Sequence, residues 1–196
     1  MAVTTLDPRS ALILIDLQKG IVAYPTAHPA DAIVRHARAL ADAFREQGLP
    51  VVLVNVAGAA PGRCEQPRSS APPAPDWAEL VPELNPQPQD HLVTKRTWGA
   101  FTHTDLDSYL KSQGITQIVL AGIATSIGVE STARQAHERG YNIALALDAM
   151  TDMNADAHQH SISRIFPRLG ETGTTQDIIE WLRQAGRGPS APAESA

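Results

Sequence analysis

Short apolar runs punctuate the chain and set its architecture. Ala11 to Ile15 is an unbroken apolar stretch closed by Asp16, the pattern of a strand buried on both faces with a polar residue at its carboxyl end. Val51 to Val56, Ile118 to Ala121 and Ile143 to Leu147 repeat it, and His91 to Thr94 is a weaker version that runs into Lys95. Between these runs the apolar spacing predicts helices at about Ala30 to Gln47, Asp105 to Gln113, Ile127 to Arg139, Ala155 to Ile165 and Gln176 to Gln184. Strands alternating with helices form βαβ units, which implies right-handed crossovers and an α/β fold with a mostly parallel sheet covered on both faces. Ligands of such sheets bind beyond the carboxyl ends of the strands. That rule alone singles out Asp16, Lys95 and the turn after Ala121.

The irregular segments complete the outline. From Ala57 to Asp90 the chain is rich in proline, with Pro72-Pro73 and Pro86-Gln87-Pro88 as its strongest breakers, so a long loop is predicted that borders the active site or a subunit interface. Trp77 to Leu84 is expected to form a short helical turn within it. Residues 186–196 carry no large apolar residue and are expected to form a flexible tail behind one domain spanning 1–185. A hydrophobic content of 43% and a charged content of 19% fit a folded globular domain.

A net charge of -5 without any basic run gives no reason to expect nucleic acid or an anionic membrane as partner. No apolar stretch approaches the ~20 residues that span a bilayer, and the N-terminus lacks a basic region followed by an apolar core, so a cytoplasmic location is expected. The single cysteine, Cys64, rules out an intramolecular disulfide. Its setting among Pro61, Gly62, Arg63 and Pro67 reads as an incidental loop position, with a nucleophile lowered in pKa by Arg63 and Arg68 as the alternative.

Three places can carry chemistry. Asp16 emerges where the first strand meets the cleft; partial desolvation countered by a nearby cation suits a general acid or base, and a capping aspartate is the plainer alternative. Lys95 is the obvious cation, if it is not simply a surface charge. Gly122 to Arg134 joins a strand to an amphipathic helix through small residues, where free N–H groups at the helix start can bind a developing negative charge and Thr125 or Ser126 can serve as N-caps.

Taken together, Leu12-Ile13-Leu14-Ile15-Asp16-Leu17-Gln18, then Lys95 to Phe101 with Thr104-Asp105-Leu106, then Gly122 to Arg134 with Gly140-Tyr141 and Asp148-Ala149, resemble the isochorismatase-like hydrolases in order and spacing from about residue 8 to residue 183. The resemblance implies a three-layer α/β/α sandwich around a six-stranded, mostly parallel sheet, no cofactor, a small-molecule substrate and self-association into a homo-oligomer. Cysteine members of that family use an Asp–Lys–Cys triad on amides and related substrates. By the motif match Asp16 takes the aspartate's place, Lys95 the lysine's, and Gly128 falls at the cysteine, which closes the covalent thiol route.

Glycine there also resembles the true isochorismatases, in which an aspartic acid protonates a vinyl ether and water captures the oxocarbenium ion. That implies Asp16 as the acid, Lys95 orienting it or binding a substrate carboxylate, Gly128 leaving room for substrate, and Gln18, Ala124 and Thr125 near the substrate. The residues flanking Gly128 are nevertheless closer to the cysteine branch, so the substrate does not carry over. A catalytically silent binding or structural member is the alternative; Ser126, Ser131 or Cys64 as substitute nucleophiles are further ones. Trp98 and Phe101 are expected to wall the substrate pocket, with Tyr24 less supported. No metal is expected: the stretch from Asn55 to Gly62 has no histidine, His158 and His160 diverge on a predicted helix and are expected to be solvated, and His103 reads as a surface or structural residue, with a place on the pocket wall as the alternative.

Overall fold

The computed structural model describes residues 3–65 and 72–185; the expected tail lies outside the described residues. Six strands form a sheet in the order β3-β2-β1-β4-β5-β6, and every neighbouring pair is parallel. These are β1 (Ser10–Ile15), β2 (Val51–Val56), β3 (His91–Lys95), β4 (Gln117–Ile123), β5 (Asn142–Thr151) and β6 (Glu171–Gly173). The α/β class and parallel sheet expected from the sequence are therefore observed. β1 is central and buried throughout; Leu12 and Leu14 enter one core and Ala11, Ile13 and Ile15 the other, as strand periodicity requires.

The first core lies under the helices α2 (Ala30–Glu46) and α6 (Thr175–Ala185), through Ile33, Ala37, Leu40, Phe44, Ile178 and Leu182. The second is closed by α3 (Leu106–Ser112), α4 (Glu130–Glu138) and the segment after α5 (Ala155–His160), through Leu106, Leu110, Ala133, Ala136 and Phe166. A helix expected at Ile127 to Arg139 instead opens with a π turn, Thr125–Val129, before α4, and α5 similarly runs into a π turn at Ser161–Ile165. The short α1 (Lys19–Val22) has no apolar repeat long enough to be read from sequence.

Two backbone features shape the site. Gly122 has φ 124°, and a Cβ there would lie 2.1 Å from the carbonyl oxygen of Ile15. Only glycine permits β4 to pass β1 this closely. Between β4 and β5 the register jumps, from Leu120 opposite Leu145 to Gly122 opposite Met150, so that β5 rejoins the sheet before delivering Asp152 and Met153 beyond its end.

The proline-rich loop returns along the carboxyl edge of β1. Gln18 bridges Leu80, Lys19 N–H donates to Glu79 at 2.8 Å, Gly20 N–H to Trp77 at 3.0 Å, and Val81 N–H to Leu17 at 3.1 Å. The short helical turn expected within Trp77 to Leu84 forms as a 3₁₀ turn at Pro82–Leu84. The loop's end is held by Arg45, whose guanidinium makes two hydrogen bonds to the buried Asp90 carboxylate, Nε to Oδ1 at 3.1 Å and Nη2 to Oδ2 at 2.6 Å.

Candidate active site

The carboxyl ends of β1, β3 and β4 meet at a cleft of about 190 Å³. Asp16 follows the last residue of β1 and turns the chain with φ 52°, an uncommon conformation for a residue with a Cβ, which costs on the order of 1 kcal/mol or more. Its N–H is fixed by Val54 O at 2.9 Å. Lys95, the last residue of β3, reaches Asp16 Oδ2 with Nζ at 2.7 Å and donates also to Thr97 O at 3.1 Å. Both side chains are almost wholly withdrawn from solvent, 7% and 2% exposed respectively.

Asp16 Oδ1 is buried and has no hydrogen-bond partner. Burial raises the Asp16 carboxyl from its ordinary 3.8 to about 6, against the lowering charge and hydrogen bond of Lys95. A carboxyl of this kind exchanges a proton near neutrality.

Gly128 faces this pair from the π turn. A Cβ on it would stand 3.2 Å from Asp16 Oδ2, 2.8 Å from Ile15 Cγ2 and 3.7 Å from Trp98 O. Asp16, Lys95 and Gly128 are thus brought together from sequence positions more than thirty residues apart. Around them the cleft is walled by Ile21, Val56, Ala124, Ile127 and Met153, with the largely exposed Trp98 at its rim.

Residues 10–177 match the family model described as the isochorismatase domain. The uncharacterized isochorismatase family protein YwoC of Bacillus subtilis is 43% identical over 183 residues, covering 89% of this chain and 95% of the relative. Its counterpart YecD of Escherichia coli O157:H7 is 41% identical over 180 residues, covering 88% and 96%. The chain belongs to the isochorismatase family. The solved structure of an isochorismatase family protein from Burkholderia thailandensis superposes on this hydrolase fold with a TM-score of 0.88 at 44% identity, covering 91% of this chain and 98% of that one.

Within the isochorismatase framework, other expected positions fall differently. Gln18 is fully buried: Nε2 donates to the carbonyls of Val56 and Trp77, each at 3.1 Å, and Oε1 accepts from Val56 N–H at 2.7 Å. With both its donors engaged it clamps β2 and the returning loop to β1, which replaces the expected contact with substrate or water. Phe101 packs in the second core, its ring 6.0 Å from that of Tyr141 and under the Arg139 guanidinium at 4.8 Å, so it is not a pocket wall. Thr125 is fully buried with Oγ1 2.8 Å from His158 Nδ1, engaged with the protein interior rather than with the cleft.

His158 is consequently not the solvated residue expected, although His160 is exposed. Burial, then the neighbouring His28, holds the His158 imidazole below its usual range, against the opposing pull of Asp152. Neither Thr125 nor Ser126 supplies the cap of the π turn. Asp152 accepts from both the N–H and the hydroxyl of Ser126 at 2.8 Å, so an acidic residue from the end of β5 holds the glycine-bearing turn in place. Tyr24, His103 and Cys64 do not line the cleft.

Asp152 and Met153 were not found by sequence reasoning. The apolar run of β5 stops at Asp148, which looks like the strand's end; instead Asp148 caps α6, accepting from Thr175 N–H at 2.7 Å and Thr175 Oγ1 at 2.9 Å, and the strand continues to Thr151. The usable signal was a second aspartate after a second short apolar stretch, Ala149-Met150.

Proposed function

We propose that this isochorismatase-family hydrolase acts on a small organic substrate by acid-assisted addition of water, with Asp16 as the acid and without a covalent intermediate. The observation that carries this reading is the absence of a side chain at Gly128, whose Cβ position lies 3.2 Å from Asp16 Oδ2, beside a buried carboxyl whose second oxygen, Oδ1, has no hydrogen-bond partner. Gly128 stands where a nucleophilic side chain would meet Asp16, and with no side chain it offers no group for covalent attack. Lys95 keeps the acid from rising further in pKa and fixes its orientation through Oδ2.

Vinyl-ether hydrolysis is the sharpest form of the reaction. Protonated Asp16 transfers its proton to the terminal alkene carbon, forming a C–H bond and an oxocarbenium ion. Water bonds to the cationic carbon and returns a proton to the Asp16 carboxylate. The hemiketal or hemiacetal then breaks its C–O bond, releasing an alcohol and a carbonyl product, with the acid regenerated. The Lys95 ammonium, 2.7 Å from Asp16 Oδ2, stabilises the carboxylate left when Asp16 gives up its proton.

The test is carbonyl release from a panel of vinyl ethers, uncharged and carboxylated, by wild-type protein and Asp16→Asn side by side. Turnover that disappears in the variant upholds the mechanism, and turnover that is unchanged in it removes Asp16 from the reaction. Ligands that bind tightly and are never converted would favour the alternative, a silent binding member, which the missing side chain at Gly128 also accommodates.

A further inference from the structure

The proposed acid sits in a cleft whose chemistry narrows the substrate class. We infer that the occupant is a small uncharged molecule with an apolar body, and that carboxylated substrates, dicarboxylates above all, are excluded. This rests on the acid-hydrolase reading for its reaction but not for its binding.

Three observations carry it. The cleft, at about 190 Å³, lies below the ~300–1,000 Å³ usual for drug-sized ligands, which limits the occupant to a compact skeleton. Its walls are hydrocarbon, thioether or indole: Ile21, Val56, Ile123, Ile127, Met153 and Trp98. Among the described residues the one cation that lines it is Lys95, and that ammonium is 2% exposed, with protons directed to Asp16 Oδ2 and Thr97 O.

Two further cations on segments next to the cleft also have partners. Arg96 packs against Gly58 at the rim and donates to Ala57 O at 3.2 Å, and Lys19 is bound to Asp76 and Glu79. A substrate carboxylate entering this cleft would lose its water and, among the described residues, meet no lining cation besides the Lys95 ammonium already held by Asp16, a costly transfer. An uncharged amide, ester or hydroxyl group meets a much smaller penalty.

The experiment separates binding from turnover. Binding is measured by calorimetry at neutral pH with para-ethoxybenzamide and para-ethoxybenzoate, isosteres that differ in charge and carry no vinyl group to hydrolyse. The amide is expected to bind wild-type protein about tenfold or more tightly than the carboxylate. Met153→Lys, which places an ammonium at the cleft from a position already 45% exposed, is expected to reverse that preference.

Equal or tighter binding of the carboxylate by wild-type protein overturns the inference, as does binding of neither. A preference that Met153→Lys leaves untouched overturns the assignment to this cleft. Acetaldehyde release from para-vinyloxybenzamide is then followed separately. If the ethoxy amide binds as expected and the vinyl ether is not hydrolysed, the acid mechanism fails while the uncharged occupant stands.

Discussion

A carboxyl at about 6 makes the pH dependence of Asp16 the sharpest test of its role. Proton donation requires the acid form, so kcat/KM is expected to be level below pH 6 and to fall about tenfold per unit above it, leaving roughly 1% of the acid form at pH 8. An aspartate at the ordinary 3.8 would break about two units lower. The same displacement appears in stability. Between 3.8 and about 6 the folded chain holds a proton that the unfolded chain has released, so stability falls as pH rises through that window.

Two units of displacement correspond to about 3 kcal/mol of stability, present in full below pH 4 and lost by pH 7. Asp31, Asp76, Asp107 and Asp177 are held below the usual carboxylate range and act in the opposite sense, so the wild-type curve alone mixes the two effects. Urea titrations of wild type and Asp16→Asn at steps from pH 4 to pH 7 isolate the difference. The gap between the two curves should change by about 3 kcal/mol across the range, with wild type losing ground as pH rises. Parallel curves, or activity that climbs through pH 6, would refute the claim that burial has raised this carboxyl.

Gly128→Ala sets a methyl 2.8 Å from the stiff Ile15 side chain, an overpacking cost of about 1–3 kcal/mol offset by about 1 kcal/mol of helix propensity; turnover should fall at least about tenfold while Tm falls by no more than about 8 °C. Arg45→Ala leaves the Asp90 carboxylate buried without its partner and should cost about 3–5 kcal/mol, read as a Tm lower by roughly 6–20 °C. Cys64→Ala should leave activity unchanged, because that exposed residue does not line the cleft; loss of turnover would revive the cysteine route. The double variant Asp16→Leu with Lys95→Met should fold with stability equal to wild type or up to about 4 kcal/mol higher, yet be inactive by the same carbonyl-release assay.

The parallel core of the fold was legible because β1, β2 and β4 are apolar on both faces, a pattern that leaves little other structure open. β6 was not: three residues, Glu171-Thr172-Gly173, at a sheet edge carry no apolar run. Asp16 and Lys95 were legible for the same reason as their strands, since a charged residue closing a buried strand has only the cleft to enter. Gln18, Phe101 and Thr125 misled because sequence proximity to a site says nothing about side-chain direction. Gln18 lies two residues beyond Asp16 and is turned into the backbone of β2, and Phe101 lies three residues beyond Trp98 and is turned into the core. Asp152 was hidden by the register jump in β5, a property of pairing between strands that no local pattern encodes.

The buried ion pair argues for chemistry more strongly than for structure. Withdrawing an ammonium and a carboxylate from water is compensated only when geometry is good and the remaining lone pairs are satisfied; here Asp16 Oδ1 is left unsatisfied and the carboxyl is displaced upward by its burial. An apolar pair of similar volume would serve the fold as well or better. The main chain at Asp16 is also held in a left-handed conformation, and Asp152 fixes the turn that brings Gly128 opposite it. Costs concentrated on one carboxyl that lines the cleft, opposite a residue with no side chain, are what a proton donor requires and what a structural salt bridge does not.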